Sequence, residues 1–155
     1  MLRVVACLLL GALLALPANL APVDPPAYQK MVAAQKGKVV LVNFWATYCI
    51  PCRKEMPALV QLAEKYRAKG FVFVTVSADE PEDAAKAGNF LDAVKVPGPH
   101  YLRKGDEEAF INALDPKWSG ALPASFLYDR AGKKVKAYYG EVGLKELEAA
   151  LVKLL

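Results

Sequence analysis

A β-rich run that leads into a cysteine pair is the feature that most narrows the folds open to this chain. Residues 39–45, Val-Val-Leu-Val-Asn-Phe-Trp, favour β-structure and are apolar on both faces, which predicts a central strand. Cys49 and Cys52 follow at the start of a helical pattern. Two residues between cysteines at a helix start place the sulfurs within disulfide reach, so the pair can open and close without refolding the chain.

Helix and strand patterns alternate along the rest of the chain, which favours a layered α/β domain over a bundle or a sandwich. Five helices are predicted, at 25–36 after an Asp24 cap, 51–69, 81–94, 107–114 and from Leu144 onwards. Further strands are predicted at 71–76 and in a hairpin of 125–128 and 134–139. Residues 95–120 are rich in proline and glycine, which predicts loops around the short helix.

The N-terminus has the pattern of an export signal. Met1-Leu2-Arg3 forms a charged tip, residues 4–16 an unbroken apolar run, and Pro17-Ala18 a small-residue cleavage site. We expect a signal peptide over residues 1–18 and one folded domain over 22–155. The apolar run is shorter than the roughly 20 residues of a spanning helix, although extension to about residue 21 would make it an uncleaved membrane anchor.

Cysteine count and charge restrict the compartment and the partners. Cys7 lies in the apolar run, so removal of residues 1–18 leaves only the cysteine pair. A chain without a stray thiol suits an oxidising compartment, where a spare cysteine would form wrong disulfides. The net charge of +4 is scattered, without a basic stripe interleaved with aromatics, so nucleic acid is not an expected partner.

Taken alone, the cysteine pair fits half of a zinc site, a permanent disulfide or thiol–disulfide exchange. A structural zinc site needs two further ligands, and His100 is the only histidine. A permanent disulfide closing so small a loop would restrict the unfolded chain only weakly. Exchange is therefore favoured. Cys49 is the expected attacking thiol because a helix N-terminus stabilises a thiolate, and the more buried Cys52 is the expected resolving thiol.

Two segments carry a resemblance to a known family. They are residues 39–57, which contain the Cys49-Ile50-Pro51-Cys52 motif, and residues 122–129, Leu-Pro-Ala-Ser-Phe-Leu-Tyr-Asp. Together they resemble the exported TlpA/ResA-like thiol-disulfide oxidoreductases of the thioredoxin-like superfamily, over most of residues 38–140. The resemblance implies a thioredoxin-like α/β fold with a central mixed β-sheet flanked by helices, and an insertion within residues 80–120, before the strand that a cis-proline enters.

The resemblance also assigns roles to further residues. Glu55 matches an acidic residue that influences cysteine protonation, although a carboxylate in a first helical turn can also be a solvated charge that stabilises the helix dipole. Pro123 matches a cis-proline facing the disulfide, and Leu122 would offer its backbone to an extended substrate. The other expected substrate contacts are Tyr48, Ile50 and Pro51.

Two positions depart from the common family pattern. Tyr48 stands where tryptophan usually precedes the first cysteine, and Asn43 where thioredoxin carries a buried acid, so that route of proton transfer is expected to be absent. Trp45 is expected either beside Tyr48, at the rim of the site around the cysteine pair, or in the hydrophobic core. Trp118 is expected to anchor the loop before Pro123.

The residues and the resemblance together predict an enzyme that exchanges a Cys49–Cys52 dithiol or disulfide with cysteines of other exported proteins. The resemblance implies reduction, with apocytochrome c or a copper-centre assembly protein as substrate and a membrane or soluble thiol protein as electron donor. We expect a monomer, without cofactor or metal, in the bacterial periplasm or at the outer face of the cytoplasmic membrane.

Two alternatives stay open. A copper-binding assembly factor would use Cys49, Cys52 and His100. A thiol peroxidase would form a sulfenic acid on Cys49 that Cys52 resolves. Peroxidases of this fold carry proline and threonine where this chain has Val42 and Ala46, which disfavours the second alternative.

Overall fold

The computed structural model describes residues 18–155, and the rest of the expected signal peptide lies outside the described residues. This range forms six strands, five α-helices and a 3₁₀ turn at Pro81–Asp83. The strands are β1 (Ala21–Val23), β2 (Val39–Trp45), β3 (Phe71–Ser77), β4 (His100–Arg103), β5 (Ala124–Tyr128) and β6 (Lys134–Tyr139). The helices are α1 (Pro25–Ala34), α2 (Ile50–Arg67), α3 (Ala84–Ala93), α4 (Glu107–Leu114) and α5 (Leu144–Leu154). Within this range no helix combines the length and apolarity needed to cross a membrane.

The strands form one mixed sheet in the order β1-β4-β3-β2-β5-β6. The first four are mutually parallel, whereas β5 and β6 are each antiparallel to the preceding neighbour. β2 is central, as predicted, and all seven of its residues are buried. Parallel strands end at the same edge, so the segments that follow β2 and β3 meet there, and Ala78 N donates to Trp45 O at 2.8 Å.

A hydrophobic core lies on each face of the sheet, because successive side chains of a strand point to opposite faces. Leu41 and Trp45 pack with α2, α3 and α5 on one face. Val42 and Phe44 pack with α1 and α4 on the other. Asn43 belongs by this alternation to the α2 face, so a polar side chain lies beneath the helix that begins after Cys49.

Two strands were not predicted because their sequences give little signal. β4 is four residues long and follows two prolines, and β1 is three residues long with Pro22 at its centre. β4 pairs with β3 and carries β1 at the sheet edge. The segment predicted as an insertion therefore widens the sheet, besides carrying α3 and α4.

The folded part of the described chain begins before residue 22, the expected start of the domain. Leu20 is buried in the core under α2, and Ala18 N donates to Asp92 Oδ2 of α3 at 2.7 Å. A Cβ on Gly88 would come within 2.4 Å of Ala18 O, so α3 requires glycine there for residues 18–20 to pass. These residues are packed against α3.

Candidate active site

Cys49 and Cys52 form a disulfide at the N-terminus of α2, with their Cα atoms 5.3 Å apart. Cys49 is the N-cap of the helix, and its Sγ accepts a hydrogen bond from Cys52 N at 3.4 Å. Cys52 is fully buried, whereas Cys49 keeps 7% of its surface exposed. A sulfur from outside can therefore approach Cys49 but not Cys52.

Cys49 lies in an open depression of about 470 Å³. Its other lining residues are Tyr48, Ile50, Pro51, Gly120 and Leu122. Tyr48 and Ile50, on either side of Cys49 in the chain, are 68% and 63% exposed. Large apolar side chains left exposed around a nearly buried reactive atom are typical of a surface that another protein covers. The structure thus brings four of the predicted substrate contacts together around one sulfur.

The fifth predicted contact, Pro123, is buried directly before β5, and the Leu122–Pro123 peptide bond is cis, as expected. Pro123 O accepts from Gly140 N at 2.8 Å. Trp118 anchors the preceding loop, as predicted, because its Nε1 donates to Ala121 O at 2.9 Å. Pro123 is not among the residues that line the depression, whereas its neighbour Leu122 is.

A buried carboxylate that the sequence analysis missed holds the segment before Cys49. Asp79 is 2% exposed and accepts from Thr47 N at 3.0 and 3.1 Å, from Thr47 Oγ1 at 2.6 Å and from Ser77 Oγ at 2.7 Å. It follows β3, and Thr47 follows β2, so the common edge of the parallel strands brings them together. The sequence signal that could have identified this residue is its position, two residues after the end of a buried strand.

Glu55 is half-buried and fixed by two hydrogen bonds, so the solvated first-turn carboxylate considered from the sequence is wrong. Asn43 Nδ2 donates to Glu55 Oε1, and Val142 N donates to Glu55 Oε2, each at 3.0 Å. Burial raises the pKa of the Glu55 carboxyl above its ordinary value, although these two hydrogen bonds act in the opposite direction. Glu55 thus joins α2 to the central strand and to the segment before α5.

Asn43 belongs to a row of polar side chains that crosses the α2 face of the sheet and is buried except at its half-buried His100 end. Ser125, Asn43, Thr75 and His100 are register partners on four adjacent strands. Asn43 Nδ2 donates to Ser125 Oγ at 3.0 Å, and Asn43 Oδ1 is buried without a partner among the described residues. From the sequence, Asn43 was expected only to remove a route of proton transfer. Its amide instead positions the carboxyl of Glu55.

His100 lies at the far end of this row and is not brought to the disulfide. Its Nδ1 and Thr75 Oγ1 are 2.8 Å apart, and burial lowers the pKa of the imidazole. In residues 18–155, no three His, Cys, Asp or Glu side chains are placed to hold a metal ion. The structure therefore does not assemble the copper site that Cys49, Cys52 and His100 were considered to form.

Trp45 and Arg53 both lie against the ring of Phe90 in α3. Trp45 is fully buried, which resolves the choice between rim and core in favour of the core. Its ring centroid is 5.1 Å from that of Phe90, and Arg53 Cζ is 5.3 Å from the Phe90 centroid. Arg53 is exposed.

Comparison with known proteins places these features among redox proteins. The sequence model of the Redoxin family matches residues 18–151. Over 119 residues the chain is 40% identical to the thiol-disulfide oxidoreductase ResA of Bacillus cereus, a match covering 77% of this chain and 65% of that protein. ResA of Halalkalibacterium halodurans is 34% identical over 105 residues, or 68% of this chain and 56% of that protein. The chain thus matches less than two thirds of the length of these relatives.

Solved structures show the same fold. A thiol:disulfide interchange protein of the thioredoxin family from Chlorobium tepidum is 26% identical, with a TM-score of 0.62 over 79% of this chain and 83% of that chain. The thioredoxin domain of a thiol-disulfide oxidoreductase from Bacteroides vulgatus is 29% identical, with a TM-score of 0.63 over 77% and 81%. The predicted thioredoxin-like fold and the resemblance to TlpA/ResA-like proteins are confirmed.

Proposed function

This chain belongs to the Redoxin family, and we propose that it is a thiol-disulfide oxidoreductase whose Cys49–Cys52 pair reduces disulfides of other proteins. The observation that supports this proposal is the placement of the disulfide. It lies at the N-terminus of α2, Cys52 is fully buried, and Cys49 lines an apolar depression. A static bridge would not require such a depression. An exchanging pair requires one, because the substrate sulfur must approach the attacking sulfur.

In the reducing direction, the Cys49 thiolate attacks one sulfur of a substrate disulfide and forms a mixed disulfide, while the other substrate sulfur leaves and takes a proton. Cys52 then loses its proton and attacks the Cys49 sulfur, which closes the Cys49–Cys52 bond and releases the second substrate thiol. Two electrons pass from the dithiol to the substrate. The N-terminus of α2 stabilises the Cys49 thiolate through its positive dipole end.

Glu55 is the proposed proton-exchanging group of the pair. It lies three residues after Cys52 on α2, and burial favours its neutral form. A carboxyl that keeps its proton to a higher pH than usual can exchange that proton with a nearby thiol, and its ionised form raises the thiol pKa. Asn43 and Val142 hold the carboxyl in place.

The proposed substrate is an extended segment of an exported protein. It would pair with the backbone of Leu122, because backbone pairing gives affinity without strict side-chain specificity, and it would pack against Tyr48, Ile50 and Pro51. The export pattern of residues 1–18, and the absence of a third cysteine in residues 19–155, support a location in the bacterial periplasm or at the outer face of the cytoplasmic membrane.

The proposed partners follow from the family resemblance. Apocytochrome c or a copper-centre assembly protein would be the substrate, and a membrane or soluble thiol protein would supply electrons to a monomeric enzyme. ResA of Bacillus cereus, at 40% identity, supports the exchange chemistry, since it is named as a thiol-disulfide oxidoreductase.

Trapping tests the attack step and identifies the substrates. Cys52→Ala removes the resolving thiol, so Cys49 should accumulate mixed disulfides with exported proteins, which non-reducing gels and mass spectrometry of the captured adducts would detect. Cys49→Ala is the matched control, and it should trap almost nothing because Cys52 is fully buried. Equal trapping by both variants, or none by Cys52→Ala, would refute the assignment.

A further inference from the structure

Beside the disulfide, α2 presents two cations that have no anionic partner within residues 18–155. Arg53 and Lys54 are exposed, and neither belongs to any of the ion pairs formed in this range. Both line a shallow depression with Ile50 and Phe90. Ile50 also lines the Cys49 depression, so one side chain separates the cations from the redox site.

Aromatic contacts hold the Arg53 guanidinium in position. Its Cζ is 5.3 Å from the Phe90 ring centroid, and Phe90 packs on Trp45, which is fully buried. A guanidinium on an aromatic face keeps its hydrogen-bond donors available and loses little side-chain freedom when it pairs with a carboxylate. Arg53 is therefore preorganised for a carboxylate that the described chain does not supply.

The other side of the Cys49 depression carries the opposite charge. Burial raises the pKa of Tyr48, and the carboxylates of Asp79, Glu107 and Glu80 raise it further, whereas Arg103 lowers it. Arg103 is already paired with Glu107 at 3.2 Å and with Glu80 at 4.0 Å, so this one cation faces three carboxylates. An acidic side chain would be repelled from the Tyr48 side and attracted to the Ile50 side, so the two sides would orient a charged segment across Cys49.

We propose that Arg53, with Lys54 as a second cation, binds an aspartate or glutamate side chain that flanks the reacting cysteine of the substrate protein. This specificity rests on the proposed oxidoreductase function. Arg53 N donates to Cys49 O at 3.2 Å, so the backbones of the two residues lie one turn apart, about 5 Å along the α2 axis. In an extended segment, residues two apart point to the same side, so a carboxylate two residues from the substrate cysteine would face α2 together with that cysteine.

The test uses the reduced protein and peptides that differ in one side chain. Each peptide has a single cysteine in a mixed disulfide with 2-mercaptoethanol, an uncharged cap, and Glu, Gln or Lys two residues before or after it. The dithiol passes two electrons and two protons to this mixed disulfide, so the Cys49–Cys52 bond forms, the peptide disulfide bond breaks, and the peptide thiol and 2-mercaptoethanol are released. Acid quenching, alkylation and mass spectrometry measure the rate of protein oxidation.

We expect the better Glu peptide to react about tenfold faster than its Lys counterpart at low ionic strength, and added salt to reduce that ratio. Arg53→Gln should bring the ratio close to one, and Arg53→Glu should invert it. A change of the Cys49 thiol pKa in these variants would alter all peptide rates together, so the ratio isolates recognition. Arg67→Gln makes the same charge change at the far end of α2 and should keep the wild-type ratio.

Two results would overturn the proposed specificity alone: equal rates for the Glu, Gln and Lys peptides with the wild-type protein, or a wild-type ratio in Arg53→Gln. In both cases the peptides are still reduced, so the oxidoreductase function stands. A wild-type dithiol that reduces none of the peptides would overturn the oxidoreductase function, and the specificity with it.

Discussion

On the face of the sheet that packs with α1 and α4, β2 and β5 bury aromatic rings, whereas under α2 the same two strands bury Asn43 and Ser125. On the first face, Phe44 lies 5.4 Å from Phe126 and 6.3 Å from Phe110, centroid to centroid. Under α2, the Asn43 amide bonds with Ser125 and Glu55 instead. Buried polar groups stabilise a fold less readily than apolar packing does. Both faces bury apolar side chains, since Leu41 and Trp45 pack under α2. We infer that the aromatic cluster of the first face, the aromatic face, serves stability alone, whereas the face under α2, the polar face, also adjusts the thiol chemistry.

The largest expected effect is on the aromatic face. Phe110 is fully buried against Phe44, and Phe110→Ala should lower the free energy of unfolding by about 3–5 kcal/mol through lost burial and a new cavity. Chemical denaturation measures this loss. The thiol titration of the folded variant should match that of the wild type, since Phe110 lies on the opposite face from the disulfide.

Val135→Ala is the control, because Val135 is 44% exposed and its truncation should change stability by less than about 0.5 kcal/mol. A shifted thiol titration in Phe110→Ala would show that the aromatic face also influences the thiols, and would refute the proposed difference between the two faces. A stability loss equal to that of the control would show that the aromatic cluster is not what stabilises the fold.

The apolar part of this division could be predicted from sequence, because its signals are local. The uninterrupted β-rich run located β2 with the correct bounds, and the predicted helix at 51–69 differs from α2 by one residue at its start and two at its end. α4 at Glu107–Leu114 also has the predicted bounds. The short strands β1 and β4 were not predicted, because their strand conformation depends on pairing with neighbouring strands rather than on their own residues.

The polar part depends on contacts that no local pattern records. Glu55 accepts from Val142, which is 87 residues away, and Asp79 accepts from Thr47 across 32 residues. Sequence spacing placed Glu55 on the helix side that also carries Cys52, but it could not give the burial that raises the pKa of that carboxyl. The cysteine motif was predictable, whereas the groups that support it were assembled by the tertiary fold.

Asn43→Asp tests the polar face with little change of shape. It replaces the donor 3.0 Å from Glu55 Oε1 by a second carboxyl group. Two carboxylates at that distance resist ionising together, so at least one apparent pKa of the pair should rise above the wild-type value. A pKa that is raised in the folded state makes stability fall as pH rises from the unfolded-state pKa through the folded-state pKa.

We therefore expect Asn43→Asp to lose about 2 kcal/mol of unfolding free energy between about pH 4 and pH 8, beyond the change in the wild type. Denaturation curves across this range provide the measurement. Asn43→Ala removes the hydrogen bonds without adding a carboxyl, so its loss of about 1–2 kcal/mol should depend less on pH. Parallel pH profiles for the two variants would show that Asn43 does not set the charge state of Glu55.

Glu55→Gln should have the smallest effect on the fold and a specific effect on the thiols. An ionised carboxylate near a thiolate raises the thiol pKa by repulsion, so the neutral amide should lower the Cys49 thiol pKa by about 0.5–1 unit. The ultraviolet absorbance of the thiolate, followed against pH in the reduced protein, measures this shift. Glu64→Gln, which changes an exposed carboxylate of α2 paired with Arg67, is the matched control and should leave the titration unchanged.

Burial raises the pKa of Glu55, so wild-type stability should decline as pH rises through that value, and Glu55→Gln should remove this decline. A thiol titration that stays unchanged while the stability profile flattens would assign Glu55 to the fold alone, and the two faces would then differ in polarity but not in role.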